Sequence, residues 1–346
     1  MTQRINIIYK TSVGKVTGLK RDAMMMQAAL SSQYQIHHYP ISERKFGLFA
    51  TLPARLSAHL QAKVRPFDVN IFLETVQPHL LHLAQLNLLI PNQELFGQAA
   101  VPLLDSIDSV LCKTAYAEQI FAQLTPRFRQ IGFTAQDRKL PDAQPDYSQF
   151  FHLAGKSHRR RGTAQILRFW KAYPDLPKLT VVAHTLDAEA YADCPNIQIF
   201  SRYLADDQIR QLQNQIGLHI CLSEAEGFGH FMAEAMSAQA CVITTNAPPM
   251  NELVDFDRGY LVNWSQQTTL EGYFDQRFHF DPAAFEATIW QLVQTSEAEK
   301  SAKGAEARRW YERQQQRFQQ NLLLSLDEIL AASKPLNSSR LGPRQT

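Results

Sequence analysis

The sequence predicts an α/β protein of two domains, each a parallel sheet wrapped by helices. Three observations carry this expectation. Short apolar runs alternate with segments of helical spacing through both halves of the chain. At 346 residues the chain is too long for one ordinary domain. Between the halves, Phe133 to Ser148 lacks periodicity and holds Pro141, Pro145 and the acids Asp137, Asp142 and Asp146, as a link would.

The elements follow in order. Ile5–Tyr9 reads as the first strand. A polar loop from Lys10 to Thr17, containing Gly14, comes next, and Gly18 opens a helix that reaches about Leu30. Gln35–Tyr39, Val69–Leu73, Leu86–Pro91, Ser109–Cys112 and Arg129–Gly132 are further strands of the first half. His152–Ala154, Leu179–Ala183, Ile197–Phe200, Leu218–Leu222 and Cys241–Thr244 repeat the style in the second. From Ala305 to Leu330, Trp310, Phe318, Leu322, Leu323 and Leu326 give a long helical pattern. The Ser, Pro, Asn and Arg residues after Ala332 predict a tail without order.

Composition narrows the function. Hydrophobic content of 45% with 20% charged residues is that of a soluble globular protein. A net charge of +2 leaves no overall electrostatic footprint for nucleic acid. Cys112, Cys194, Cys221 and Cys241 form no Cys-x-x-Cys pair, which fits reduced thiols inside a cell. A signal peptide and an apolar run of about 18 residues are both absent, so a cytoplasmic protein that does not span a membrane is expected.

Residues 223–234, Ser-Glu-Ala-Glu-Gly-Phe-Gly-His-Phe-Met-Ala-Glu, are the most informative segment. The apolar run Gly217–Leu222 precedes it as a buried strand. Phe231, Met232, Ala235 and Met236 follow at helical spacing. A strand, a Gly-Phe-Gly turn and a helix leave free backbone N–H groups and a positive helix end where an anion can sit. Glu226 lies in the turn and Glu234 about two helical turns on, a geometry for a ligand with a phosphate between hydroxyls. Gly-x-Gly at such a junction is common, and the spacing alone does not decide for a site. The next strand, Ala240–Thr245, runs into a rigid turn that delivers Glu252 at a helix start.

The run Leu222 to Val254 resembles the donor-binding signature of retaining GT-B glycosyltransferases of family 4. The matching residues are Ser223, Glu226, Gly227, Phe228, Gly229, Glu234, Ala235, Met236, Val242, Ile243, Thr245 and Glu252. A second block, Phe151 to Thr163, is similar to the family's basic segment that grips the donor diphosphate. Lys156 stands where Arg is usual and Arg161 where Lys is usual, so charge is kept while hydrogen-bond geometry changes. Without the resemblance, Arg159–Arg161 reads equally as a solvated loop. Gly18 matches a glycine loop that family members place against the donor phosphate.

The resemblance implies two Rossmann-like domains facing a central cleft. The expected division is an acceptor-side domain over 1–147, a donor-side domain over 148–304, a helix over 305–332 returning to the first domain, and a tail over 333–346. It implies transfer of a sugar from a nucleotide-diphosphate donor to a glycan or lipid-linked acceptor hydroxyl, with no cofactor and no metal. In that reading Glu234 holds the ribose and Glu226 contacts sugar hydroxyls at the reacting centre. Lys156 and Arg161 balance the leaving diphosphate, and Gly227, Phe228 and Gly229 shape the sugar pocket. The base rests near Arg202 and Tyr203. Glu252 has two readings, helix cap and ligand. The family's N-domain His is missing, and Asn92 or Glu94 takes its place. Asp255-Phe256-Asp257 follows no strand end and reads as a surface turn. A nucleotide-sugar epimerase, a sugar phosphorylase and a non-catalytic partner subunit are the competing readings.

Residues 44–65 hold Phe49, Leu52, Leu56 and Leu60 among Arg44, Lys45, Arg55, Lys63 and Arg65. This basic amphipathic stretch either packs on the first domain or touches an anionic membrane at the inner face of the cell. Flotation with anionic liposomes separates the two. Absence of binding at low salt rules for packing on the protein.

Overall fold

The computed structural model describes residues 2–11, 18–42 and 65–333. The expected loop residues 12–17, most of the basic amphipathic stretch and the tail from residue 334 lie outside the described residues.

The first domain is one parallel sheet. Its strands are β1 (Arg4–Thr11), β2 (Gln35–Ser42), β3 (Phe67–Leu73), β4 (Ala84–Ile90), β5 (Ser109–Cys112) and β6 (Phe128–Gln130), in the order β2-β1-β3-β4-β5-β6. The apolar runs of β1, β3 and β4 are buried, as parallel strands covered on both faces require. Helices α1 (Gly18–Leu30) and α2 (Ala115–Phe121) follow β1 and β5. Thr114 caps α2, its hydroxyl accepting from the Ala117 N–H at 3.1 Å.

The second domain holds β7 (Asp146–Gly155), β8 (Leu179–Ala183), β9 (Ile197–Phe200), β10 (Ile216–Ile220), β11 (Cys241–Thr245) and β12 (Gly259–Val262). They lie in the order β12-β11-β10-β7-β8-β9, again all parallel. Its helices are α3 (Thr163–Ala172), α4 (Asp206–Gln215), α5 (His230–Ser237), α6 (Met250–Leu253) and α7 (Pro282–Gln294). Strand order reverses between β1 and β3 in the first sheet and between β7 and β10 in the second. Crevices beyond the carboxyl ends of strands at such reversals are where open α/β sheets take ligands.

Two sequence expectations change. β7 begins at Asp146, inside the expected link. The remaining connection is not a solvated linker either, because Phe133 and Ala135 are fully buried and Arg138 is 1% exposed. Arg138 donates to Gln213 Oε1 at 2.9 Å and to Asp206 Oδ2 at 2.7 Å, while its own N–H is taken by Ser237 Oγ at 2.8 Å. A buried guanidinium with these partners fixes the chain where it passes between domains. The hairpin β13 (Trp264–Thr269) and β14 (Gln276–Phe280) was not legible, since Ser265 to Gln267 of β13 face solvent and give no apolar alternation.

The last helix, α8 (Glu297–Ala332), starts at Glu297 rather than near Ala305, with Ser296 Oγ accepting from the Glu299 N–H at 3.2 Å. It crosses both domains. Tyr311, Phe318, Leu322 and Leu326 enter one core with Met26 and Leu30 of α1 and Met232 and Met236 of α5. Phe318 stacks at 4.8 Å on Phe133 of the interdomain connection. This is the GT-B arrangement, with the C-terminal helix tied to the first domain. Phe318→Ala should lower unfolding free energy by about 3–5 kcal/mol. Urea titration of the whole chain measures this, and a loss below about 1 kcal/mol would mean that α8 is not part of the shared core.

Candidate functional site between the two sheets

The turn after β10 is shaped by its glycines. Gly229 has φ of 103°, a left-handed conformation, and caps α5. A Cβ on Gly227 would stand 2.6 Å from Asn92 Oδ1 and 2.8 Å from Glu94 Oε2. Any larger residue would displace both side chains, so glycine lets this turn approach the first domain closely. Gln93 then closes the gap, its Nε2 donating to the Glu226 carbonyl at 2.7 Å.

A cavity of about 200 Å³ lies here. Gly18 at the start of α1, Glu74 after β3, Asn92 and Glu94 after β4, and Glu226 to His230 line it. The reversal of the first sheet and the end of β10 beside the second reversal therefore open on one space. Glu74 has φ of 71°, strain of the kind that collects at functional sites.

A continuous polar chain runs along the wall. Asn92 Nδ2 donates to Glu74 Oε2 at 3.2 Å, and Lys113 Nζ donates to Asn92 Oδ1 at 2.8 Å. Lys113 also meets Asp22 Oδ2 at 2.5 Å, and Asp22 Oδ1 meets His230 Nε2 at 2.5 Å. Lys113 sits 4.6 Å from the centre of the Phe133 ring. Burial alone would raise the Asp22 pKa. The charges and hydrogen bonds of Lys113 and His230 outweigh it and hold the carboxyl well below the ordinary range. Sequence reasoning missed Glu74, Lys113, Asp22 and His230. Each had one signal, a polar residue at the carboxyl end of a parallel strand, beside the glycine that opens α1, or within the glycine turn.

The expected residues divide into those the cavity gathers and those it does not. Gly18, Asn92, Glu94, Glu226, Gly227, Phe228 and Gly229 line it. Glu226 Oε1 accepts from Ser223 Oγ at 2.7 Å. Glu234 is buried behind the turn, with Arg21 donating to its Oε1 at 2.9 Å from α1. Arg161 lies outside the cavity wall, its guanidinium 3.8 Å from the Phe231 ring centre and its Nη1 donating to the Leu153 carbonyl at 2.7 Å. Lys156, Arg202 and Tyr203 are exposed. Glu252 is a cap, but of a helix in the other domain. Its carboxylate accepts from the Ala115 and Tyr116 N–H groups, both at 2.8 Å, at the positive end of α2. Asp255 accepts from the Asp257 N–H and pairs with Arg258, which is the expected surface turn. Among the described residues no group of three His, Cys, Asp or Glu is placed to hold a metal ion.

Glu94 is out of place as a carboxylate. Burial, reinforced by the Glu226 charge, raises its pKa to about 8, and its Oε2 has no hydrogen-bond partner among the described residues. A carboxyl whose folded pKa lies above the unfolded value supports folding at low pH and loses that support as pH rises to the folded value. Glu94→Gln should therefore be more stable than wild type at pH 9 by on the order of 2–4 kcal/mol, and little different at pH 4. Melting both proteins across this range checks it, and parallel curves would show that Glu94 ionises normally.

Residues 188–279 match the sequence profile of the family described as Glycosyl transferases group 1, which bears out the resemblance over the segment holding the glycine turn. No curated protein matches in sequence. Solved structures match over nearly the whole chain. A glycosyltransferase from Rickettsia africae is 13% identical with a TM-score of 0.68, covering 95% of this chain and 100% of its own. Sucrose-phosphate synthase from Thermosynechococcus elongatus is 13% identical with a TM-score of 0.67, covering 96% and 100%. HepE from Anabaena, in complex with UDP and glucose, is 14% identical with a TM-score of 0.63, covering 94% and 99%. At these identities the likeness establishes the fold.

Proposed function

With a glycosyl transferases group 1 segment at residues 188–279 as premise, we propose that the chain is a retaining glycosyltransferase. It moves a sugar from a nucleotide-diphosphate donor to a glycan or lipid-linked hydroxyl, without a metal or another cofactor. The observation that carries this reading is the cavity where Glu226, the glycine turn and the start of α5 meet the first domain beside both strand reversals. Its wall is rich in carboxyl groups, from Glu74, Glu94, Glu226 and Asp22. Carboxylates accept from sugar hydroxyls and repel phosphate, so the sugar occupies the cavity and the diphosphate lies at the helix end. Glu234 holds the ribose. A carboxylate has about four acceptor positions, so the Arg21 bond leaves room for hydroxyls.

The cavity of about 200 Å³ is smaller than the roughly 300–1,000 Å³ of sites for drug-sized ligands. It suits one sugar ring, and a nucleotide requires the domains to part. UDP, which HepE holds, is the first nucleotide to test. Thermal-shift screening against UDP, GDP, ADP, CMP and their sugar conjugates should give a shift with one nucleotide family. Glu234→Ala should abolish it while leaving the chain folded by circular dichroism, with an apo melting temperature lowered by loss of the Arg21 pair. Silence from every nucleotide would move the reading to a non-catalytic partner subunit. Lys156→Ala and Arg161→Ala should each cost on the order of 2–4 kcal/mol in kcat/KM. Losses below about threefold in both would remove them from the diphosphate site.

A further inference from the structure

The nitrogen-bearing side chains that line the cavity are not the two expected from the sequence. Lys156 and Arg161 lie outside its wall, while Lys113 and His230 form part of it. Lys113 is engaged by Asp22, Asn92 and the Phe133 ring. His230 is the first residue of α5, directly after the glycine turn. Its Nε2 faces the Asp22 carboxylate at 2.5 Å, so Nε2 carries the proton. The ring is held edge-on by Phe133 at 5.8 Å and Phe228 at 5.7 Å. Nδ1 is buried and has no hydrogen-bond partner among the described residues. A buried ring nitrogen in that state costs free energy until something binds it. His230 stands at the helix start beside the glycine turn, where the proposed reading places the diphosphate, so a phosphate oxygen is the candidate partner.

This step rests on the glycosyltransferase reading. We propose that His230, held by Asp22, donates a hydrogen bond from Nδ1 to the diphosphate oxygen that leaves the sugar, and so is a further catalytic residue. When the anomeric C–O bond breaks, its electron pair passes to that oxygen and the Nδ1–H bond to it strengthens. The proton of the acceptor hydroxyl departs with the diphosphate, and His230 keeps its own. In the bound state both ring nitrogens are protonated, and the imidazolium lies between Asp22 and the diphosphate. Lys113 keeps Asp22 ionised and in place, which makes both positioning residues. The other ionisable groups near the ring are Glu74, Glu94 and Glu226 of the cavity wall and the Arg21–Glu234 pair on α1 and α5.

The test is calorimetric titration of the whole chain with UDP, GDP and ADP at pH 8, in two buffers of different ionisation enthalpy. Nδ1 can donate only once it gains a proton, so binding should draw about one proton from the buffer. His230→Gln has an amide in reach of Asp22 but nothing at the Nδ1 position. It should bind the nucleoside diphosphate about tenfold or more weakly, with proton uptake gone. His230→Asn, with a nitrogen near Nδ1 but no reach to Asp22, should fall between. Tight binding by wild type without proton uptake overturns the assignment whether or not the variants fold. So does wild-type affinity with unchanged uptake in His230→Gln. Failure of wild type to bind any of the three nucleotides overturns the glycosyltransferase reading along with it.

Discussion

Asp22 is a carboxylate with almost no access to water, and the cleft is arranged around its charge. An ionised carboxyl in such a place costs several kcal/mol unless it is paired and hydrogen-bonded. One partner, Lys113, comes from the end of β5 in the same domain, and the other, His230, comes from the opposite domain. Asp22 is therefore satisfied in full only when α5 is brought against α1. Removing Lys113 would take the ammonium from a buried carboxylate, which is the expensive way to break a buried pair. The same closure brings Arg21 to Glu234 and Gln93 to the Glu226 carbonyl. Beneath these bonds, α8 joins the apolar faces of α1 and α5 in one core. The polar cleft and the apolar core impose the same relative placement of the domains.

Much of the scaffold was legible in the sequence because parallel strands are buried on both faces. Ser109–Cys112 and Leu179–Ala183, buried throughout, are found with the bounds their apolar runs predicted, and the partly buried edge strand Ile197–Phe200 keeps its bounds as well. The fold class follows from such runs alternating with helical spacing, and the segment resemblance holds over residues 188–279. What failed has physical causes. β7 begins early because Asp146 to Gln149 are mostly polar and partly exposed, so nothing apolar marked the start. Arg138 reads as a linker residue in sequence, and its burial depends on Asp206 and Gln213, partners far along the chain. In the cavity, Glu226 and the glycines were found through local pattern. Asp22, Lys113 and Glu74 were not, because each is a lone polar residue whose meaning comes from strands that meet only in three dimensions. Glu252 was found as a special residue, but neither of its two expected roles included a helix in the other domain.

That cross-domain cap has a consequence for α2. A helix of seven residues has little stability of its own, since nucleation is costly and its first-turn N–H groups need acceptors. Thr114 supplies one acceptor from within the domain, and Glu252 supplies two from outside it. Any parting of the domains would take the carboxylate from the Ala115 and Tyr116 amides and leave them to water. The start of α2 would then fray. Hydrogen exchange at these two amides would therefore time any breathing of the cleft, even with no ligand present.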